Sequence, residues 1–103
     1  MPETGKPYTS GEWRVKDGEQ DPFIEEWKKF IEWARGFDGA ESFFLWQDTD
    51  DPQRFVSYGE WQDKDAVDAW RRDQGFRESL GRVVAHCEDF KPHDSTLVAA
   101  FES

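Results

Sequence analysis

From Tyr8 to Lys16 the chain alternates as a half-buried strand does, with Thr9, Gly11, Trp13 and Val15 on one face. Glu12, Arg14 and Lys16 fall on the other, and Asp17-Gly18 marks the turn that follows. The period then lengthens. Asp21-Pro22 predicts a helix start, with Asp21 as N-cap and Pro22 at the first helical position. Phe23, Trp27, Phe30, Ile31 and Ala34 recur at three- and four-residue spacing as one apolar stripe. Glu25, Glu26, Lys28, Lys29 and Glu32 occupy the solvated side, while Trp33 lies off the stripe, as a rim or interface residue. The helix is expected to stop near Arg35-Gly36, with Gly36 in a left-handed C-cap position.

Ala40 to Gln47 is an aromatic-rich strand, Asp48 to Pro52 a polar turn, and Arg54 to Trp61 the next strand, which together read as a hairpin. Asp63 is placed to cap a helix running to about Arg72, with Ala66, Ala69 and Trp70 inward. A second helical segment is expected from near Phe76, carrying Phe76, Leu80, Val83, Val84 and Cys87 on one face. Lys91-Pro92 reads as a break and Ser95 to Phe101 as the last strand. The order β-α-β-β-α-β is the ferredoxin-like arrangement, an α+β fold whose helices cover one face of a four-stranded antiparallel sheet. The other face is left bare, with Phe44, Trp46, Val56 and Tyr58 as candidates for it. A bare, half-apolar sheet face predicts a homodimer joined through that face.

The 103 residues make one domain, with residues 1–7 expected as a flexible leader and 8–103 as the folded unit. Six Trp and nine Phe mean that the core is built from rings, each burying roughly 150–250 Å². A net charge of −10 argues against nucleic acid and against an anionic membrane surface, both of which attract basic patches. The acidity reads as a solvated surface, and charge alone does not establish adaptation to high salt. One cysteine, Cys87, forms no internal disulfide, which fits a reducing cytoplasm. No apolar run approaches the length of a membrane span, so a cytoplasmic location is expected.

The most telling stretch is Phe55-Val56-Ser57-Tyr58-Gly59-Glu60-Trp61, a strand ending in a tryptophan that runs into a helix carrying Trp70, with Gly75-Phe76 beyond. Strand-end aromatics of this kind line pockets where sheet meets helix. With Gly36-Phe37-Asp38-Gly39 ahead of the second strand, the collinear set resembles the antibiotic biosynthesis monooxygenase (ABM) family of dimeric α+β barrels, over roughly Thr9 to Phe101. The resemblance implies a pocket between helices and sheet in each subunit. In one branch of that family, aromatic polyketides are oxidised to quinones by dioxygen without metal or flavin. That branch pairs the strand-end tryptophan with an asparagine four residues earlier and a tyrosine on the next helix. Here Trp61 matches, whereas the asparagine position is Ser57 and the tyrosine position Val67. A heme-degrading branch requires a histidine where this chain has Leu80 and an asparagine on strand one where it has Gly11, which argues against heme.

The resemblance therefore implies a small aromatic or phenolic substrate and no cofactor, with Trp61 and Ser57 as the candidate catalytic pair. Trp61 would stack on, or donate its N–H to, a flat substrate; the plainer reading is a core aromatic. Ser57 lies on the same strand face and would donate to a substrate oxygen, unless it serves only to leave room. Gly11, Trp13, Trp27, Gly59, Val67, Trp70, Phe76 and Leu80 are the candidate pocket residues. His86 and His93 are the imidazoles available as bases; a helix-terminal role suits the first and an exposed loop the second. No zinc spacing, calcium-loop pattern or phosphate-binding glycine loop is present. A non-redox binding or isomerase-like module with the same pocket is the alternative. A purely structural dimerisation domain would need the pocket plugged, by Trp13 and Trp70 for example.

Overall fold

A computed structural model of the chain describes residues 4–102. The elements run β1 (Pro7–Val15), α1 (Gln20–Ala34), β2 (Ala40–Gln47), β3 (Arg54–Trp61), α2 (Lys64–Arg72), α3 (Gln74–Val84) and β4 (Cys87–Thr96). The strands form one antiparallel sheet in the order β2-β3-β1-β4. This is the ferredoxin-like α+β arrangement expected from the sequence, with the second helical region divided in two. Asp73 makes the division: it ends α2 in an extended conformation, and its carboxylate accepts the Gly75 N–H to start α3.

Inward and outward residues alternate along β1 as the pattern predicts, and Trp13 and Val15 are buried against Phe23, Phe55 and Val83 in the core. The predicted stripe of α1 is the face that covers them, with Phe23, Trp27, Phe30 and Ala34 all buried. Trp33, off that stripe, is half-buried and sets its ring edge-on to Phe37.

Several local expectations are corrected. Helix α1 begins at Gln20 rather than at Asp21-Pro22, and its N-cap residue Glu19 makes no side-chain cap. The Glu19 carboxylate is instead taken by His86 Nδ1 at 2.9 Å. Pro22 still fits the first turn, where an N–H would have no intrahelical partner. The left-handed glycine is not Gly36 but Gly39 (φ +88°), where a side chain would strike Ala66 of α2. Ala69 faces solvent, and Val67 takes its place in the core beside Trp70.

The largest correction concerns the last strand. β4 is Cys87–Thr96, so Cys87 opens a strand instead of closing a helix face, and Pro92 lies inside that strand opposite Gly11. Proline is tolerated there because β4 is an edge strand, where one missing donor costs the sheet little. Only Ser95 and Thr96 of the expected Ser95–Phe101 strand belong to it, and Phe101 is fully exposed. Of the expected leader, residues 1–3 lie outside the described residues. Gly5 and Lys6 exchange backbone hydrogen bonds with Leu97 just ahead of β1.

Candidate active site

Helices α1, α2 and α3 do not close fully on the sheet. Between them lies a cavity of about 320 Å³ whose walls are mostly rings. Trp27 and Phe30 of α1, Trp70 of α2 and Phe76 of α3 form the helical side, joined by Leu80. Trp13, Phe43 and Phe90 line the sheet side, where Phe90 of β4 stacks on the Trp13 indole with ring centres 4.1 Å apart.

Two hydroxyls and two glycines make the floor. Thr9 pairs with Gly59 across the β1–β3 ladder, and Gly11 pairs with Ser57, so each hydroxyl residue faces a glycine. A side-chain carbon at Gly59 would come within 2.8 Å of both Phe43 and Thr9 Oγ1. One at Gly11 would come within 2.9 Å of Phe90 and 3.0 Å of Trp13 Nε1. These glycines are not at bulges, since the β1–β3 register is continuous through both. They clear the floor and let the rings and hydroxyls lie close to the backbone.

The hydroxyls are held from behind by indoles. Trp61 Nε1 donates to Thr9 Oγ1 at 3.2 Å, and Trp13 Nε1 donates to Ser57 Oγ at 2.9 Å. Trp61 is completely buried, with Phe43 edge-on to its ring and Trp70 packed 4.8 Å away. It does not line the cavity, and neither does Val67. The candidate pair Trp61 and Ser57 thus divides: Ser57 is on the floor, whereas Trp61 stands behind Thr9. Gly11, Trp13, Trp27, Gly59, Trp70, Phe76 and Leu80 are all brought together around the cavity. Leu80 on that wall has no atom to ligate a heme iron.

Trp70 differs from the other two indoles. Its Nε1 is shut off from solvent and has no hydrogen-bond partner among the described residues. A buried donor left unpaired costs about 1–3 kcal/mol.

One ion pair borders the cavity. Arg71 of α2 holds Asp94 of β4 through two hydrogen bonds, at 2.6 and 3.0 Å, tying helix to edge strand. Hydrogen bonding to Arg71 lowers the Asp94 carboxyl below its ordinary value, and the same bond raises the guanidinium. His93, in β4 rather than in a loop, puts its Nε2 3.6 Å from Glu12 Oε2. Both belong to the alternate set of strand residues, yet His93 also reaches the rim of the cavity beside Asp94. His86 is occupied with Glu19. Burial pushes the Cys87 thiol up to about 11, so it is protonated and a poor nucleophile near neutral pH. No cluster of metal-ligating side chains occurs among the described residues.

Thr9, Phe43, Phe90, Arg71 and Asp94 line the cavity without having been singled out as site residues from sequence. Thr9 was within reach, since it shares the strand face of Gly11. Phe90 and Asp94 are hidden in the sequence because Lys91-Pro92 has the pattern of a break, and only pairing with β1 makes Pro92 an edge-strand residue.

No curated protein matches the chain. Among solved structures it is similar to SnoaB, a cofactor-independent oxygenase from Streptomyces nogalater, at TM-score 0.78 and 15% identity, over 95% of this chain and 96% of that one. A protein called an antibiotic biosynthesis monooxygenase superposes at TM-score 0.72 and 20% identity, over 91% and 98% of the two chains. A conserved protein from Methanosarcina mazei gives TM-score 0.79 at 17% identity, over 89% and 92%. At such identities the likeness establishes the fold. The model of the antibiotic biosynthesis monooxygenase family matches residues 8–81, from the start of β1 well into α3. A match of that extent means that the chain belongs to the antibiotic biosynthesis monooxygenase family.

Proposed function

We propose that the ring-walled cavity is the substrate site of a cofactor-independent monooxygenase that oxidises a small phenolic or anthrone-like aromatic with dioxygen. The observation that carries this reading is the cavity itself, about 320 Å³ with aromatic walls and a polar floor. A plugged, purely structural domain is disfavoured by it, because Trp13 and Trp70 stand along the walls and leave the space open. In the proposed reaction a ring carbon bearing hydrogen, the methylene of an anthrone or the position para to a phenol hydroxyl, becomes a carbonyl and the second oxygen atom leaves as water. The substrate supplies all four electrons. The protein would hold the ring flat between indole and phenyl faces, exclude water, and stabilise the substrate anion through hydroxyl donors. A second copy of the chain would cover the outer sheet face, so that two such cavities open from one dimer.

The alternative is a non-redox binding or isomerase-like member. It draws support from Ser57 and Val67 standing where one oxidising branch of the family has asparagine and tyrosine. It is also favoured by the commitment of His86 to Glu19 and of Arg71 to Asp94.

Oxygen uptake over a panel of anthrones and dihydroxynaphthalenes separates the two, with metals chelated, no flavin added and quinone absorbance followed in parallel. Protein-dependent uptake that falls in Trp61→Phe is the expected result. No uptake from any compound, with tryptophan fluorescence still quenched on ligand addition, would leave the binding module.

A further inference from the structure

The indoles behind the floor occupy one acceptor lone pair of each of its two hydroxyls and leave each hydroxyl a proton to donate, beside one remaining lone pair. An indole N–H only donates, so Trp61 and Trp13 each use an acceptor lone pair, of Thr9 Oγ1 and Ser57 Oγ respectively. Each hydroxyl keeps its own proton, and among the described residues no acceptor takes either one. Accepting a hydrogen bond also polarises a hydroxyl and strengthens it as a donor. The two lie diagonally across β1 and β3, because Thr9 pairs with Gly59 and Ser57 with Gly11. Diagonal positions of an antiparallel pair are roughly 7–8 Å apart, within the reach of two oxygens on one aromatic ligand. The glycine beside each hydroxyl is fixed by contact: any side chain there would collide with Thr9 Oγ1 or with the Trp13 nitrogen.

We propose that Thr9 and Ser57 form a two-point donor floor that selects flat aromatics bearing two oxygen acceptors, and that Trp61 acts on the ligand only through Thr9. The inference rests on the reading of this cavity as the substrate site. A ligand with two oxygens satisfies both protons at once. A ligand with one oxygen leaves a polarised donor facing an apolar wall, which is the situation in which binding sites discriminate most sharply. Thr9 is then a specificity-determining residue and Trp61 a positioning residue that fixes the direction of its hydroxyl.

The test is binding under nitrogen, read by quenching of tryptophan fluorescence, with 1,4-dihydroxynaphthalene, 1-naphthol and naphthalene as probes. The dihydroxy compound is expected to bind about ten-fold more tightly than 1-naphthol, although it is the less apolar of the two. Equal or weaker binding of the dihydroxy compound by the native protein overturns the proposal, and that comparison needs no variant to fold. Thr9→Val and Ser57→Ala are each expected to weaken it about ten-fold while naphthalene binding stays the same, and Thr9→Ser is expected to restore it. Trp61→Phe should act as Thr9→Val does. Losses that are equal for naphthalene and the dihydroxy compound would mean that these residues only support the fold, and would also overturn it. Nothing is oxidised under nitrogen, so absence of turnover leaves a positive result here standing, and a negative result here leaves oxygen uptake to be judged by itself.

Discussion

The two faces of the sheet are made of alternate residues of the same strands, and both carry rings, yet they are built differently. On the face under the helices, Trp13 and Trp61 are buried and their N–H groups are bonded to Ser57 and Thr9. On the outer face Phe44, Trp46 and Tyr58 remain 51%, 52% and 38% exposed, with Phe44 stacked on Trp46 and Tyr58 edge-on to it, ring centres less than 6 Å apart. Ion pairs of Arg54 with Glu12 and Asp48 flank them. Ring content is therefore not what decides burial. The inner face meets three helices of its own chain, and the outer face meets none.

Truncating one tryptophan on each face tests that contrast most strongly. Trp61→Ala removes a fully buried ring and its hydrogen bond to Thr9, and is expected to cost about 3–5 kcal/mol in urea unfolding. Trp46→Ala removes a half-exposed ring. On the proposed dimer its cost appears as a weaker self-association in sedimentation velocity. A loss as large as that of Trp61→Ala, without any change in association, would break the comparison.

A second substitution sharpens the inner face alone. Gly59→Ala places a carbon 2.8 Å from Phe43 and Thr9 Oγ1, where strands and core leave little room to give. The expected cost is about 1–3 kcal/mol by denaturation, together with weaker ligand quenching as Phe43 is pushed into the cavity. The same change at an exposed glycine without neighbours, Gly81, is expected to be neutral or stabilising in its helix.

The smallest effect belongs to the border between helix and edge strand. The folded Asp94 carboxyl lies below its ordinary value because Arg71 bonds it, so its contribution is present above the unfolded value, about 3.9, and is lost as pH falls through the lower folded value. Asp94 is largely exposed and Arg71 half-buried, and Asp94→Asn is expected to cost about 1 kcal/mol or less at pH 7. Chemical denaturation from pH 7 to pH 2 should show the native protein and the variant converging in acid.

Alternation and three- or four-residue spacing were enough to recover β1, the inward stripe of α1, both strands of the hairpin and the Asp63 cap. These features depend on neighbours a few residues away, and the side-chain period itself encodes them. The antiparallel α+β order follows from the same patterns, and the strand-end Trp61 with its sequel carried the resemblance to the family. Only the tertiary structure decided what depends on residues far apart in the chain. Pro92 is a strand residue because β4 lies at an edge, and no local pattern says which strand will be the edge. Gly39 rather than Gly36 takes the left-handed conformation, and Ala66 of a later helix lies so close against it that no side chain would fit. Trp61 is set behind Thr9 by a hydrogen bond spanning 52 residues, and so the hydroxyl that meets a ligand is one that sequence spacing around Trp61 does not mark.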